Sequence, residues 1–210
     1  MKRRLVFALS VLLLASASTL GLAADPEGPW TQIDNDDGIR TWKMERPGQD
    51  LPGFRGQTVM DASAADIRTV IEQVSKHPQW MQNCVDAKMI ERMSPDHAIV
   101  YNRTGAPWPV WDRDVVLDTI FTPSADGKLL TLTFHDTDPK RFPLPHKTVR
   151  MPHLSGFYKL ETLAPNRTRV TYQVMADVGG SIPRWLADRI AKEMPYKTLS
   201  RLRARVTGKH

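Results

Sequence analysis

Two residue periods run through this chain, and the order in which they occur limits its fold more than any other feature. Apolar residues recur at every second position in short runs at 39–44, 54–60, 85–92, 97–103, 114–121, 129–135, 156–163 and 169–176. In the clearest run, Val170, Tyr172, Val174 and Ala176 alternate with Arg169, Thr171, Gln173 and Met175, as in a strand with one buried face. Twice the period becomes helical. Ile67, Val70, Ile71 and Val74 fall at i, i+3, i+4 and i+7, with Asp61 or Ser63 placed to cap the start and His77-Pro78 to end it. A longer helix is predicted over 181–206, with Ser181 as N-cap and Pro183 in the first turn. Ile182, Leu186, Ile190 and Met194 line one face of it, joined by Trp185, Leu202 and Val206, and Pro195 interrupts it at a cost of ~3 kcal/mol. Turn signals such as Asp126-Gly127 and Pro165-Asn166 separate the runs. Strands, a helix, six more strands and a terminal helix, joined by short turns, give an antiparallel sheet and the α+β class.

With 210 residues and 41% apolar content, the chain can close around a core of its own. Its one cysteine, Cys84, excludes internal disulfides and thiolate zinc clusters. His135, Asp136, Asp138, His146 and His153 do not have the spacing of a compact metal site, so no metal is expected. No nucleophile elbow, phosphate loop or dinucleotide fingerprint occurs, and no cofactor is expected.

The N-terminus reads as a secretory signal. Lys2, Arg3 and Arg4 precede an apolar run broken by Ser10, and small residues lead to an expected cleavage after Ala23. The run is too short to span ~30 Å comfortably. The expectation is export to the periplasm or beyond, leaving residues 24–210 as one domain. The formal net charge of +6 is divided unevenly. Residues 24–183 carry 18 basic and 21 acidic side chains, whereas 184–210 carry eight and two. That basic end suits an anionic lipid surface; export and the lack of an aromatic-basic motif argue against nucleic acid.

Two loops interrupt the strands: 105–111, with Trp108 and Trp111 among prolines, and 136–152, with four prolines. Connections of this length tend to be functional. Trp30 followed by Asp37-Gly38-Ile39-Arg40-Thr41-Trp42, then Pro107-Trp108-Pro109-Val110-Trp111-Asp112-Arg113-Asp114, then Gly179-Gly180-Ser181-Ile182-Pro183-Arg184-Trp185-Leu186, resemble in order the motifs of the START (StAR-related lipid transfer) domain of the helix-grip superfamily. The likeness runs from about Trp30 to Val206. It implies a curved antiparallel sheet wrapped around the C-terminal helix, enclosing a tunnel for one lipid or other hydrophobic small molecule, carried between membranes by a monomer that touches them transiently. The two loops match the family's omega loops. The family's first helix has little room here, which leaves open what covers the outer sheet face.

On this reading the ligand-binding candidates are Met81, Tyr101, Arg103, Phe134, Tyr158 and Tyr172 of the sheet side, Trp108 and Trp111 of the first loop, and Ile182, Trp185, Leu186, Ile190 and Met194 of the helix. Trp108 and Trp111 are either membrane-facing gate residues or rings buried against the helix. Alternation puts Tyr101 and Arg103 on one face and Asp112, Asp114 and Val116 on another. These charges either meet a ligand's polar end or form a structural ion pair. Met81, Met89, Met175 and Met194 serve equally as cavity lining or as core. The rival function is an enzyme of the polyketide-cyclase or hydrolase type acting in the same cavity, with Arg103, Asp114, Tyr158 and Tyr172 as its acid/base groups.

Overall fold

A computed structural model describes residues 28–208. The expected signal segment, 1–23, lies outside the described residues. The strands are β1 (Thr31–Asp36), β2 (Ile39–Met44), β3 (Gly53–Met60), β4 (Cys84–Ser94), β5 (His97–Thr104), β6 (Asp112–Pro123), β7 (Leu129–Asp136), β8 (Thr148–Arg150), β9 (His153–Ala164) and β10 (Arg167–Asp177). They form one sheet in the order β1-β2-β3-β10-β9-β7-β6-β5-β4, antiparallel throughout except that short β8 pairs parallel with β6. β1 and β8 are additions to the period-two runs. β1 reads Thr-Gln-Ile-Asp-Asn-Asp and is largely exposed, so it has no apolar alternation to reveal it.

Helix α1 (Ala64–Glu72) begins where Ser63 accepts from the Asp66 amide at 3.1 Å. It is shorter than its apolar spacing suggests. Residues Val74–Gln79 form a 3-10 turn that contains Pro78, and Val74 and His77 are buried in that turn rather than in the helix. Helix α2 (Arg184–Val206) is capped by Pro183, not by Ser181, and no side chain caps it.

The sheet curves around α2, which lies across β2 and β3 and also touches β10 and α1. Its C-terminal half is the tightly packed part, with Thr198, Leu199 and Leu202 fully buried. The close approach depends on Gly56, whose missing side chain leaves room for Leu199 and Pro195. Arg203 pairs with Asp37 and the Tyr196 hydroxyl donates to Asp36 at 3.0 Å, tying α2 to the β1–β2 turn.

Of the second loop, Met151 near its end reaches the interior wall, while the rest lies elsewhere. Carrying a 3-10 turn (Pro139–Arg141) and β8, it folds over the outer face, where Ile99, Tyr101 and Val116 form a second apolar cluster with Ile90 and Phe142. Phe142 stacks on Tyr101 with centroids 3.9 Å apart. Arg150 pairs with the fully buried Asp114 through two contacts, at 2.7 and 3.1 Å, and also donates to the carbonyls of Pro139 and Phe142. This loop covers the part of the outer face formed by β4, β5 and β6.

Candidate functional site

Strand alternation brings one set of side chains inward. β5 contributes Val100, Asn102 and Thr104; β6 contributes Arg113, Val115 and Leu117; β7 contributes Leu132 and Phe134; β9 and β10 contribute Leu154, Tyr158, Tyr172 and Val174. Between these, α2 and the 105–111 loop lie two interior chambers. The outer one, of about 90 Å³, is closed by Pro107 and Val110 of the loop and by Ile182, Leu186 and Ile190 at the start of α2. The deeper one, of about 110 Å³, is walled by Ile71, His77, Met81, Phe134, Tyr158 and Tyr172. Phe54, Thr104, Met151, Leu154, Val174 and Met194 belong to both walls, so a waist of six side chains separates the chambers. Two of the six are methionines, the side chains that repack most readily.

Eight expected site residues therefore lie on this wall: Met81, Phe134, Tyr158, Tyr172, Ile182, Leu186, Ile190 and Met194. The expectation that Tyr101 and Arg103 face the interior is corrected. Tyr101 lies opposite Val116 and Arg103 opposite Asp114 in the β5–β6 register, and all four are on the outer face. Their division between two faces is corrected with it. The charges there form ion pairs: Asp114 with Arg150 at 2.7 Å, and Arg103 with Asp112 at 3.5 Å. Trp185 points away from the cavity and is 55% exposed, as is Trp111, and Trp108 is 92% exposed. Neither loop tryptophan is buried against the helix. Of the four groups weighed for catalysis, Tyr158 and Tyr172 face the cavity while Arg103 and Asp114 lie across the sheet from it.

The wall also holds polar residues outside the expected ligand-binding set, among them Asn102, His77 and Arg113, the last expected only as a charge that meets a ligand or forms an ion pair. Asn102 sits in a glycosylation-type triplet, yet its side chain faces the interior, where His77 Nδ1 and Cys84 Sγ lie 3.5 and 3.6 Å from its Oδ1. His77 Nε2 contacts the Ile71 carbonyl at 2.8 Å, and burial pushes the imidazole pKa down. Arg113 reaches the carbonyls of Trp111, Val178 and Gly179 at 2.7, 3.3 and 3.2 Å. It thereby ties the first loop to the Gly179-Gly180 link before α2, the two segments that bracket the outer chamber.

Electrostatically the deep wall is neutral. Burial raises the pKa of both cavity tyrosines and takes the Cys84 thiol up to about 12, so none of them supplies an anion near neutral pH. Among the described residues there is no group of three or more His, Cys, Asp or Glu side chains arranged to hold a metal ion.

A START domain model matches residues 22–209 of the chain. An uncharacterized Pseudomonas aeruginosa protein is 32% identical over 190 residues, spanning 90% of this chain and 93% of that one. The crystal structure of a STAR-related lipid transfer protein from Xanthomonas axonopodis superimposes with a TM-score of 0.76 at 30% identity, covering 86% of this chain and 99% of the other. Human STARD10 has the same fold, with a TM-score of 0.73 at 18% identity over 85% of this chain and 73% of its own.

Proposed function

The chain belongs to the START domain family, and on that footing we propose that it binds a lipid or other hydrophobic small molecule in the two-chambered cavity and carries it between membranes. The observation that supports this most is the lining: an interior cavity walled mainly by apolar side chains, with no charged residue on its deeper wall. Each Å² of apolar ligand surface removed from water there gains roughly 25 cal/mol. A similar Xanthomonas axonopodis protein is described as a lipid transfer protein, which favours the same role here.

A ligand longer than either chamber joins them by displacing Met151 and Met194 at the waist. It enters beside the 105–111 loop, where the exposed Trp108, Trp111 and Trp185 offer amphipathic rings to a membrane interface. On the same proposal the N-terminal segment directs export and is then removed, and the carrier works outside the cytoplasm; we propose separately that it acts as a monomer.

The test is direct. Protein purified without detergent is extracted with organic solvent and the extract analysed by mass spectrometry. The expected result is an apolar compound in stoichiometric amount. An empty extract, together with no uptake of fluorescent lipid probes, would refute the proposal.

A further inference from the structure

Arg113 is 8% exposed, and its guanidinium is held by three backbone carbonyls, those of Trp111, Val178 and Gly179. A guanidinium has five N–H donors, so these acceptors leave one over on each terminal nitrogen. Carbonyls also carry no net negative charge. The carboxylates on either side of Arg113 in sequence are engaged elsewhere: Asp112 lies 3.5 Å from Arg103, and Asp114 lies 2.7 Å from Arg150. Burial lowers the Arg113 pKa and no carboxylate raises it, yet an arginine stays protonated even so. Arg113 is thus a buried cation with no counter-ion among the described residues.

A second positive feature meets it at the outer chamber. Arg113 lines that chamber, and so do Ile182 and Leu186, which flank the start of α2. No side chain caps this helix and its first turn holds no acidic residue, so nothing within the turn neutralises the positive end of its dipole. The other residues of the wall are uncharged. Burying an unpaired charge is costly, and the cost falls when an anion arrives to pair with it.

We propose that Arg113 and the first turn of α2 receive the anionic head of an amphiphile, a long-chain carboxylate or phosphate ester, whose tail fills the deep chamber. This rests on the reading of the cavity as a site for an apolar ligand, and it orients that ligand. The tail enters first, because the deep wall is uncharged, and the head stops at the outer chamber. The two remaining N–H groups of Arg113 are donors for the oxygens of that head.

The experiment follows displacement of a neutral naphthylamine dye from the delipidated full chain by dodecanoate, dodecanol and acetate. Dodecanoate is expected to compete about tenfold better than dodecanol, the value of one hydrogen bond to a charged group, and acetate not at all at the same concentrations. Arg113→Gln is expected to lose that preference while still binding dodecanol. Thr104 lies opposite Arg113 in the β5–β6 register and lines the same chamber, so Thr104→Asp builds in a counter-ion. Compared with its neutral match Thr104→Asn, this variant is expected to reject dodecanoate and, when empty, to unfold at a higher temperature. Equal competition by dodecanoate and dodecanol in wild type, a preference unchanged in Arg113→Gln, or an empty Thr104→Asp less stable than Thr104→Asn would each overturn the assignment. The Thr104 pair decides it should Arg113→Gln not fold. Displacement by acetate would overturn it as well, because the site would then belong to a free anion. Failure of both long-chain compounds to displace the dye from wild type would overturn the cavity reading itself, which is a separate result.

Discussion

Gly56 marks the closest approach of the terminal helix to the sheet. A Cβ added there would lie 2.7 Å from Leu199 Cδ1 and 3.1 Å from Pro195 Cβ, and Leu199 is fully buried. Leu199 cannot withdraw without disturbing Leu202 and the strands beneath it. Gly56→Ala is therefore expected to destabilise the protein by about 1–3 kcal/mol, the usual cost of overpacking a filled core. Urea unfolding measures it, and an unchanged midpoint would mean that α2 shifts to accommodate the methyl. At this scale the sequence was readable where one strand face is apolar and the other polar. β10 alternates cleanly, which made Tyr172 legible as an inward residue. β5 does not: Ala98, Ile99, Val100 and Tyr101 are all buried, because the helix-grip interior covers one face and the second loop covers the other. With both faces apolar, alternation carries no sign of which is which, and the side of the strand that holds Tyr101 and Arg103 is the outer one.

Among the elements, the two loops have opposite roles despite similar composition. Both are rich in proline, and nothing local distinguishes a cover over the cavity mouth from a cover over the outer face. The distinction lies in a long-range pair, Asp114 with Arg150, which no short motif could reveal. Asp114 is fully buried and the Arg150 side chain is 17% exposed, so the pair is shielded from water on one side and only partly on the other. Removing one partner of a fully buried pair costs about 3–5 kcal/mol, and the partial exposure of Arg150 lowers that figure. Asp114→Asn is expected to cost about 2–4 kcal/mol on the same scale. The same variant should make residues 137–147 more sensitive to limited proteolysis, since Arg150 also holds the Pro139 and Phe142 carbonyls. If cleavage there is no faster than in wild type, the Tyr101–Phe142 stack suffices to hold the loop.

In the whole molecule, the basic segment and the tryptophans prove to be separate features. The sequence suggests a basic helix beside a tryptophan loop, but they meet at only one end of α2. Trp185 lies in its first turn, near the 105–111 loop, whereas Arg201, Arg203 and Arg205 lie in its last turns, roughly 24–30 Å away at 1.5 Å per residue. Arg203 is already engaged with Asp37. The end of the molecule that holds the cavity mouth thus presents exposed rings more than the bulk of the positive charge, and on the proposed function burial of area, rather than charge, would govern its affinity for a bilayer. Removing about 100 Å² of ring surface from water gains roughly 2.5 kcal/mol, more than a tenfold change in partitioning. Replacing Trp108 and Trp111 together by Ser is expected to weaken binding to vesicles of phosphatidylcholine containing phosphatidylglycerol at least tenfold in a sedimentation assay, a surface on which both rings and arginines can contribute. Replacing Arg201 and Arg205 by Gln should change it less than twofold, by our estimate from their distance from the mouth. The reverse ranking would place the docking face at the C-terminal end of α2, and ligand would then have to reach a bilayer from the side of the molecule opposite its mouth.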